Sequence, residues 1–126
     1  MLHHLSLPVS DLVRSDRFYF AVLSALGYAR VWGHERAVGY GLAGGGDKFA
    51  IKLSAGPVLP PAVGFHVAFA AASREAVALF HAAALAYGGL DNGPAGLRRH
   101  YGDNYYAAFV FDPDGYPIEA VINTAP

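Results

Sequence analysis

The sequence predicts an α+β fold: two tandem βαβββ modules forming a curled, cup-shaped mixed sheet with helices on its outer face. An internal repeat, an apolar alternation ahead of each helical stretch and hairpin signals behind it carry that expectation. HLSLPVSDLVRSDRFYFAVLSALGY, starting at His4, slides forward by 62 positions without a gap onto HVAFAAASREAVALFHAAALAYGGL, starting at His66. His4 then meets His66, Phe18 meets Phe80, Ala21 meets Ala83, Leu23 meets Leu85 and Gly27 meets Gly89. Self-similarity at a fixed period marks a repeated supersecondary unit. The later part repeats with a shift of 67, which lays GYGLAGGGDKFAIKL on YAAFVFDPDGYPIEA and pairs Asp47 with Asp114, Ile51 with Ile118 and Lys52 with Glu119.

The elements follow in order. Leu5, Leu7 and Val9 alternate with His4, Ser6 and Pro8, the period of a half-buried strand. Ser10 is the expected helix N-cap, Leu12, Phe18, Tyr19, Val22, Leu23 and Leu26 fall near helical spacing, and Gly27 is the expected stop. Tyr28 to His34, Arg36 to Ala43 and Lys48 to Ser54 read as a three-strand meander turning at Gly44 to Asp47. In the second copy Phe65, Val67 and Phe69 alternate with His66, Ala68 and Ala70, Ser73 caps, and Val77, Phe80, Ala84 and Leu85 form the helix stripe up to Gly88 and Gly89. Asp91 to Gly102, rich in Gly, Pro, Asn and Arg, reads as a loop where the repeat asks for a strand. Tyr105 to Phe111 and Tyr116 to Ile122 form a closing hairpin around DPDG. One domain over 1–126 is expected, with module one at 1–55, a proline-rich linker at 56–62 and module two at 63–126.

Composition narrows the function classes. The chain is 54% hydrophobic and 15% charged, which suits a buried core and argues against disorder. A net charge of -1 without a basic run leaves no footprint for nucleic acid. No apolar stretch is long enough for a membrane span and no leader is evident, so a cytoplasmic protein is expected. The chain has no cysteine, which excludes disulfides and thiol chemistry.

Strand parity selects the candidate site. If Leu5 and Leu7 pack under the helices, His4 points to the other face; the same logic sends His66 and Glu119 there. His3 has the parity of Leu5 and no partner in the repeat. Two imidazoles and one carboxylate suit iron(II), manganese, nickel or zinc and leave positions open for a substrate. Lys52, at the repeat position of Glu119, is a catalytic base, an ion-pair partner of Glu119 or a solvent-facing side chain. The RRHYGDNYY segment is expected over the mouth of the cup, where Arg98, Arg99, His100, Tyr101 and Tyr105 can meet a carboxylate, a phosphate or an aromatic ring, and His100 and Tyr101 join Lys52 as catalytic candidates. Trp32 and His34, on the second strand, are candidates for the lining of the cup; Trp32 is equally a candidate for the core or for a dimer contact.

The opening PVSDLVRSDRFYFAVLSALGY behind a strand histidine and the closing DPDGYPIEAV resemble the vicinal oxygen chelate superfamily of glyoxalase I, bleomycin resistance proteins, extradiol dioxygenases and fosfomycin resistance proteins. The resemblance covers nearly the whole chain. It implies a metal held by His4, His66 and Glu119, with Lys52 at the remaining ligand position. Because an ammonium cannot ligate a metal, ordinary glyoxalase I activity is disfavoured. The resemblance further implies a homodimer and a small oxygenated substrate handled by a metal-dependent lyase, isomerase or dioxygenase. The alternative it carries is a metal-free protein that sequesters a planar or cationic compound.

Overall fold

A computed structural model describes residues 1–126. Module one runs through β1 (Leu5–Val9), α1 (Leu12–Ala25), β2 (Ala29–His34), β3 (Ala37–Gly41) and β4 (Phe49–Leu53). Module two runs through β5 (Val67–Ala70), α2 (Arg74–Ala86), β6 (Leu90–Asp91), β7 (Gly96–Leu97), β8 (Tyr106–Phe111) and β9 (Pro117–Ile122). The α+β class and the two βαβββ modules are therefore those the repeat predicts. Sheet one has the order β1-β4-β3-β2 and sheet two the order β5-β9-β8-β6, with β7 also on β8. Each is mixed, because β1 runs parallel to β4 and β5 parallel to β9. β1 and β5 are edge strands that do not pair with each other, so the strands form two sheets and close no barrel.

The strand missing from the sequence reading is present in two pieces. β6 and β7 both pair with β8, and the residues between them include Pro94, which lacks an N–H, and Gly93 in the left-handed half of backbone space (φ 141). Asp91 to Gly102 is therefore a broken edge rather than an uninterrupted loop.

Local chemistry sets the helix ends. Asp11, not Ser10, caps α1 by accepting the Arg14 N–H at 3.0 Å. Ser10 is occupied elsewhere: its hydroxyl donates to Asp114 in the β8–β9 turn. Ser73 caps α2 as expected, accepting from Ala76 N–H at 3.1 Å. Both helices stop before a left-handed glycine, Gly27 (φ 87) and Gly88 (φ 101), a conformation that a Cβ would penalise.

Each helix covers one face of its own sheet, and the two helices lie against each other. The core between them takes Leu7, Val9 and Ile51 from sheet one, Phe18, Tyr19 and Val22 from α1, Val77 and Phe80 from α2, and Val110 and Ile118 from sheet two. Burying each large side chain contributes about 1.5–3 kcal/mol. Three tyrosines tie the modules together: Tyr19 donates to Asp112 Oδ2 at 2.6 Å, Tyr116 to the Pro8 carbonyl at 2.8 Å and Tyr28 to the Ala70 carbonyl at 2.9 Å. No helix is long and apolar enough to cross a membrane.

Strand register corrects one equivalence of the repeat. Beside β5, Glu119 stands opposite Ala68, two residues beyond His66. The matching place in module one, opposite Ser6 and two residues beyond His4, belongs to Ala50; Lys52 lies one pleat further, opposite Pro8. Lys52 is therefore not the structural counterpart of Glu119. A slip of two residues preserves the face and changes the neighbour, which is why strand parity alone does not detect it.

Candidate functional site

The faces turned away from the helices carry the candidate side chains, divided between the two sheets. On sheet two, His66, Asn92, Tyr101, Tyr105, Phe109 and Glu119 line a cavity of about 520 Å³. Glu119 lies at its floor, 2% exposed. Its two oxygens have separate partners: Oε1 is 3.1 Å from His66 Nε2, and Oε2 accepts the Tyr105 hydroxyl at 2.8 Å. A buried carboxylate is costly without donors; the Tyr105 phenol supplies a hydrogen bond to one oxygen, and the His66 imidazole lies beside the other. Burial first, and the hydrogen bond to Glu119 second, push the Tyr105 phenol up to about 12. Tyr105 is therefore a donor across the neutral pH range, and it fixes the orientation of the carboxylate.

From Tyr105 an aromatic chain leads outward. Tyr101 lies 5.2 Å from the Tyr105 ring and His100 lies 4.1 Å from Tyr101, both measured between centroids. Tyr101 is exposed and lines the cavity, whereas His100 is exposed beyond it. Arg98 turns away: it donates to the Pro94 carbonyl at 2.6 Å and its guanidinium lies 5.4 Å from the Phe109 ring centre. That arginine fastens the β6–β7 segment. Arg99 is exposed and makes no ion pair.

On sheet one, Lys52 is exposed on the open face beside Ala37 and Pro8. It makes no ion pair in the chain and does not reach Glu119, whose neighbour is His66. His4 precedes β1, is exposed, and has its Nδ1 2.7 Å from that of the adjacent His3. Trp32 and His34 share the same open face, their rings 5.7 Å apart and inclined by 20°. An apolar cleft of about 250 Å³ opens on the other side, among Leu5, Leu23, Tyr40, Phe49 and Phe69, with Lys48 as its charged group.

The chain thus brings together His66, Glu119, Tyr101 and Tyr105 and leaves His4 and Lys52 on the other sheet. Sequence reasoning missed Phe109, which its pairing opposite Glu119 puts on the same face, and Asn92, for which no local signal existed. A nitrogen and an oxygen donor converge at His66 and Glu119, a suitable chemistry for a divalent ion. No three metal-ligating side chains converge within one chain. His4, the third member of the donor set expected from the sequence, lies on the other sheet.

Two βαβββ modules, with a buried carboxylate beside an exposed histidine on an open sheet face, define an α+β protein built from paired repeats. The chain belongs to the Glyoxalase/Bleomycin resistance protein/Dioxygenase superfamily, whose family model matches residues 1–120. It is similar to a glyoxalase/bleomycin resistance protein from Albidiferax ferrireducens T118, with 34% identity over 94% of each chain and a TM-score of 0.78. A glyoxalase-related enzyme from Fulvimarina pelagi has 25% identity, covering 98% of this chain and 88% of its own, with a TM-score of 0.74. The genomically encoded fosfomycin resistance protein of Listeria monocytogenes shares the fold at 19% identity and a TM-score of 0.70, over 98% of this chain and 93% of its own. No curated protein is similar enough to the chain to count as a match.

Proposed function

We propose that the chain is a divalent-metal-dependent enzyme, a lyase, isomerase or dioxygenase acting on a small oxygenated substrate, with its site completed in a homodimer. The observation that carries this reading is the buried Glu119 held between His66 and Tyr105 at the floor of a cavity. His66 and Glu119 of one copy and His4 of the other would hold the ion. The bound ion would supply Lewis acidity toward two substrate oxygens.

The chain's own residues do the rest. Tyr105 holds one oxygen of Glu119 and leaves the other facing His66. Phe109, Tyr101 and Tyr105 shield the floor from water and orient an apolar part of the substrate. Lys52 and His100 are the exposed groups for moving a proton, and Lys52 approaches with sheet one of the second copy. Pairing is supported by the free edges of β1 and β5 and by the division of the candidate residues between two open faces.

One observation favours the alternative, a metal-free protein that sequesters its ligand: Glu119 already has neighbours within the chain at both oxygens, a hydrogen bond from Tyr105 at Oε2 and His66 at 3.1 Å from Oε1. Subunit mixing separates the two readings. His4→Ala and His66→Ala homodimers should each fail to bind metal, while a mixed dimer regains one intact site of two. Failure of the mixed dimer to regain metal, with dimerisation intact, argues for sequestration.

A further inference from the structure

We propose that the apolar cleft at the seam of the two modules binds a medium-chain alkyl carboxylate, its tail among Leu23, Phe49 and Phe69 and its carboxylate on Lys48. This second site goes beyond the function above and does not depend on a metal.

The cleft holds about 250 Å³ and takes its walls from α1, β1, the β3–β4 hairpin and β5. Leu5 and Val67 line it, and each directly follows one of the two histidines, His4 and His66. Alternation along a strand sends these side chains to the side away from the histidines. The cleft therefore lies behind the open faces and shares no lining residue with the Glu119 cavity. Leu23, Tyr40 and Phe49, almost wholly buried, form its floor. Folded interiors leave few voids larger than a water, and apolar ones take up apolar ligands. At a water's share of about 30 Å³, this volume matches a chain of about eight heavy-atom groups.

The polar groups of the lining select the head group. Two phenols are already committed: Tyr28 donates to the Ala70 carbonyl at 2.9 Å and Tyr40 to Asp16 Oδ1 at 2.6 Å. Lys48 is the one charged residue of the lining and has no carboxylate partner in the chain. Its backbone is fixed, the N–H donating to the Tyr40 carbonyl at 2.8 Å and the carbonyl accepting the Leu5 N–H at 3.0 Å. Lys48 is exposed, which puts its ammonium at the mouth, where the exposed Leu2 also lies. A cationic head would meet like charge there, and a neutral one would leave the ammonium without a counter-charge. The tail follows from the floor: the Phe49 ring already packs with Tyr19, Tyr40 and Phe69 at centre separations of 4.9, 6.2 and 5.1 Å. A flexible chain needs no further ring seat.

Octanoate is titrated into the whole protein by calorimetry, with a chelator present so that the result does not depend on metal. Saturable binding is expected, rising about fourfold in affinity per methylene from hexanoate to octanoate. Octylamine should not bind. Amide shifts in NMR spectra should fall on Leu5, Lys48 and Phe69 and spare Tyr105. Lys48→Glu should abolish octanoate binding and admit octylamine, whereas Arg17→Gln, a cation outside the cleft, should change neither. Val67→Phe should fill the cleft and exclude octanoate; should it fail to fold, Lys48→Glu, a change of an exposed side chain, still decides. No saturable binding, an affinity independent of chain length, equal affinity for octylamine, or shifts confined to the Glu119 cavity would each overturn the proposal. A second copy seated on the cleft would give the first of these, a dimer that ignores octanoate. Failure of the metal reading alone leaves every one of these outcomes intact.

Discussion

Tyr19 and Asp112 show how one side chain can hold two modules. The Asp112 carboxyl is 3% exposed and takes the Tyr19 hydroxyl on one oxygen and the N–H groups of Asp114 and Tyr116 on the other. Burial raises its pKa above the ordinary value, while these three donors pull the other way. The folded chain thus holds this proton more tightly than the unfolded chain. Stability contributed by the group falls as pH rises from the ordinary carboxylate value through the raised one, then levels off. Tyr19→Phe removes a donor that favours the charged form. It should cost about 1–3 kcal/mol in urea unfolding at neutral pH, with the cost shrinking as acid protonates Asp112. A loss independent of pH would mean that packing, not the hydrogen bond, carries the effect. Glu119 shows what was legible at this scale: parity put it on the face of His66, but nothing local announced that Tyr105 would take its second oxygen.

Among the elements, the helices were read nearly in full and the sheets less so. Asp11→Ala should destabilise α1 by about 0.5–2 kcal/mol, since it removes the side chain that accepts the Arg14 N–H. Ser10→Ala should leave the cap intact and loosen the link to Asp114 instead, a difference that hydrogen exchange of the Arg14 amide resolves. Ser10 and Asp11 are both good caps by type. The choice between them was made by a residue 104 positions away, which no local pattern contains. β6 and β7 were hidden because two-residue strands show no period. The Lys52–Glu119 equivalence failed for a related reason: sequence identities align residues, while hydrogen-bond register aligns strands. Because the error was an even number of residues, every inference about faces survived it.

At the scale of the whole molecule, the candidate residues lie on two sheets that share no strand pairing within one chain. The repeat revealed two equivalent modules, and the sequence reading placed both histidines in one cup. Whether two modules of one chain meet, or modules of two chains do, depends on how α1 and α2 pack, and helix periodicity does not encode that. The proposed function requires that His4, His66 and Glu119 hold one ion once two copies pair. The direct test is elemental mass spectrometry of untagged protein, coupled to size exclusion, for the parent and for His4→Ala, His66→Ala and Glu119→Ala. A dimer with about one equivalent of transition metal per chain is expected, the metal being lost in each of the three variants while the dimer persists. A parent protein that stays metal-free after reconstitution with iron(II), manganese, nickel and zinc would contradict it, as would a metal retained in His4→Ala.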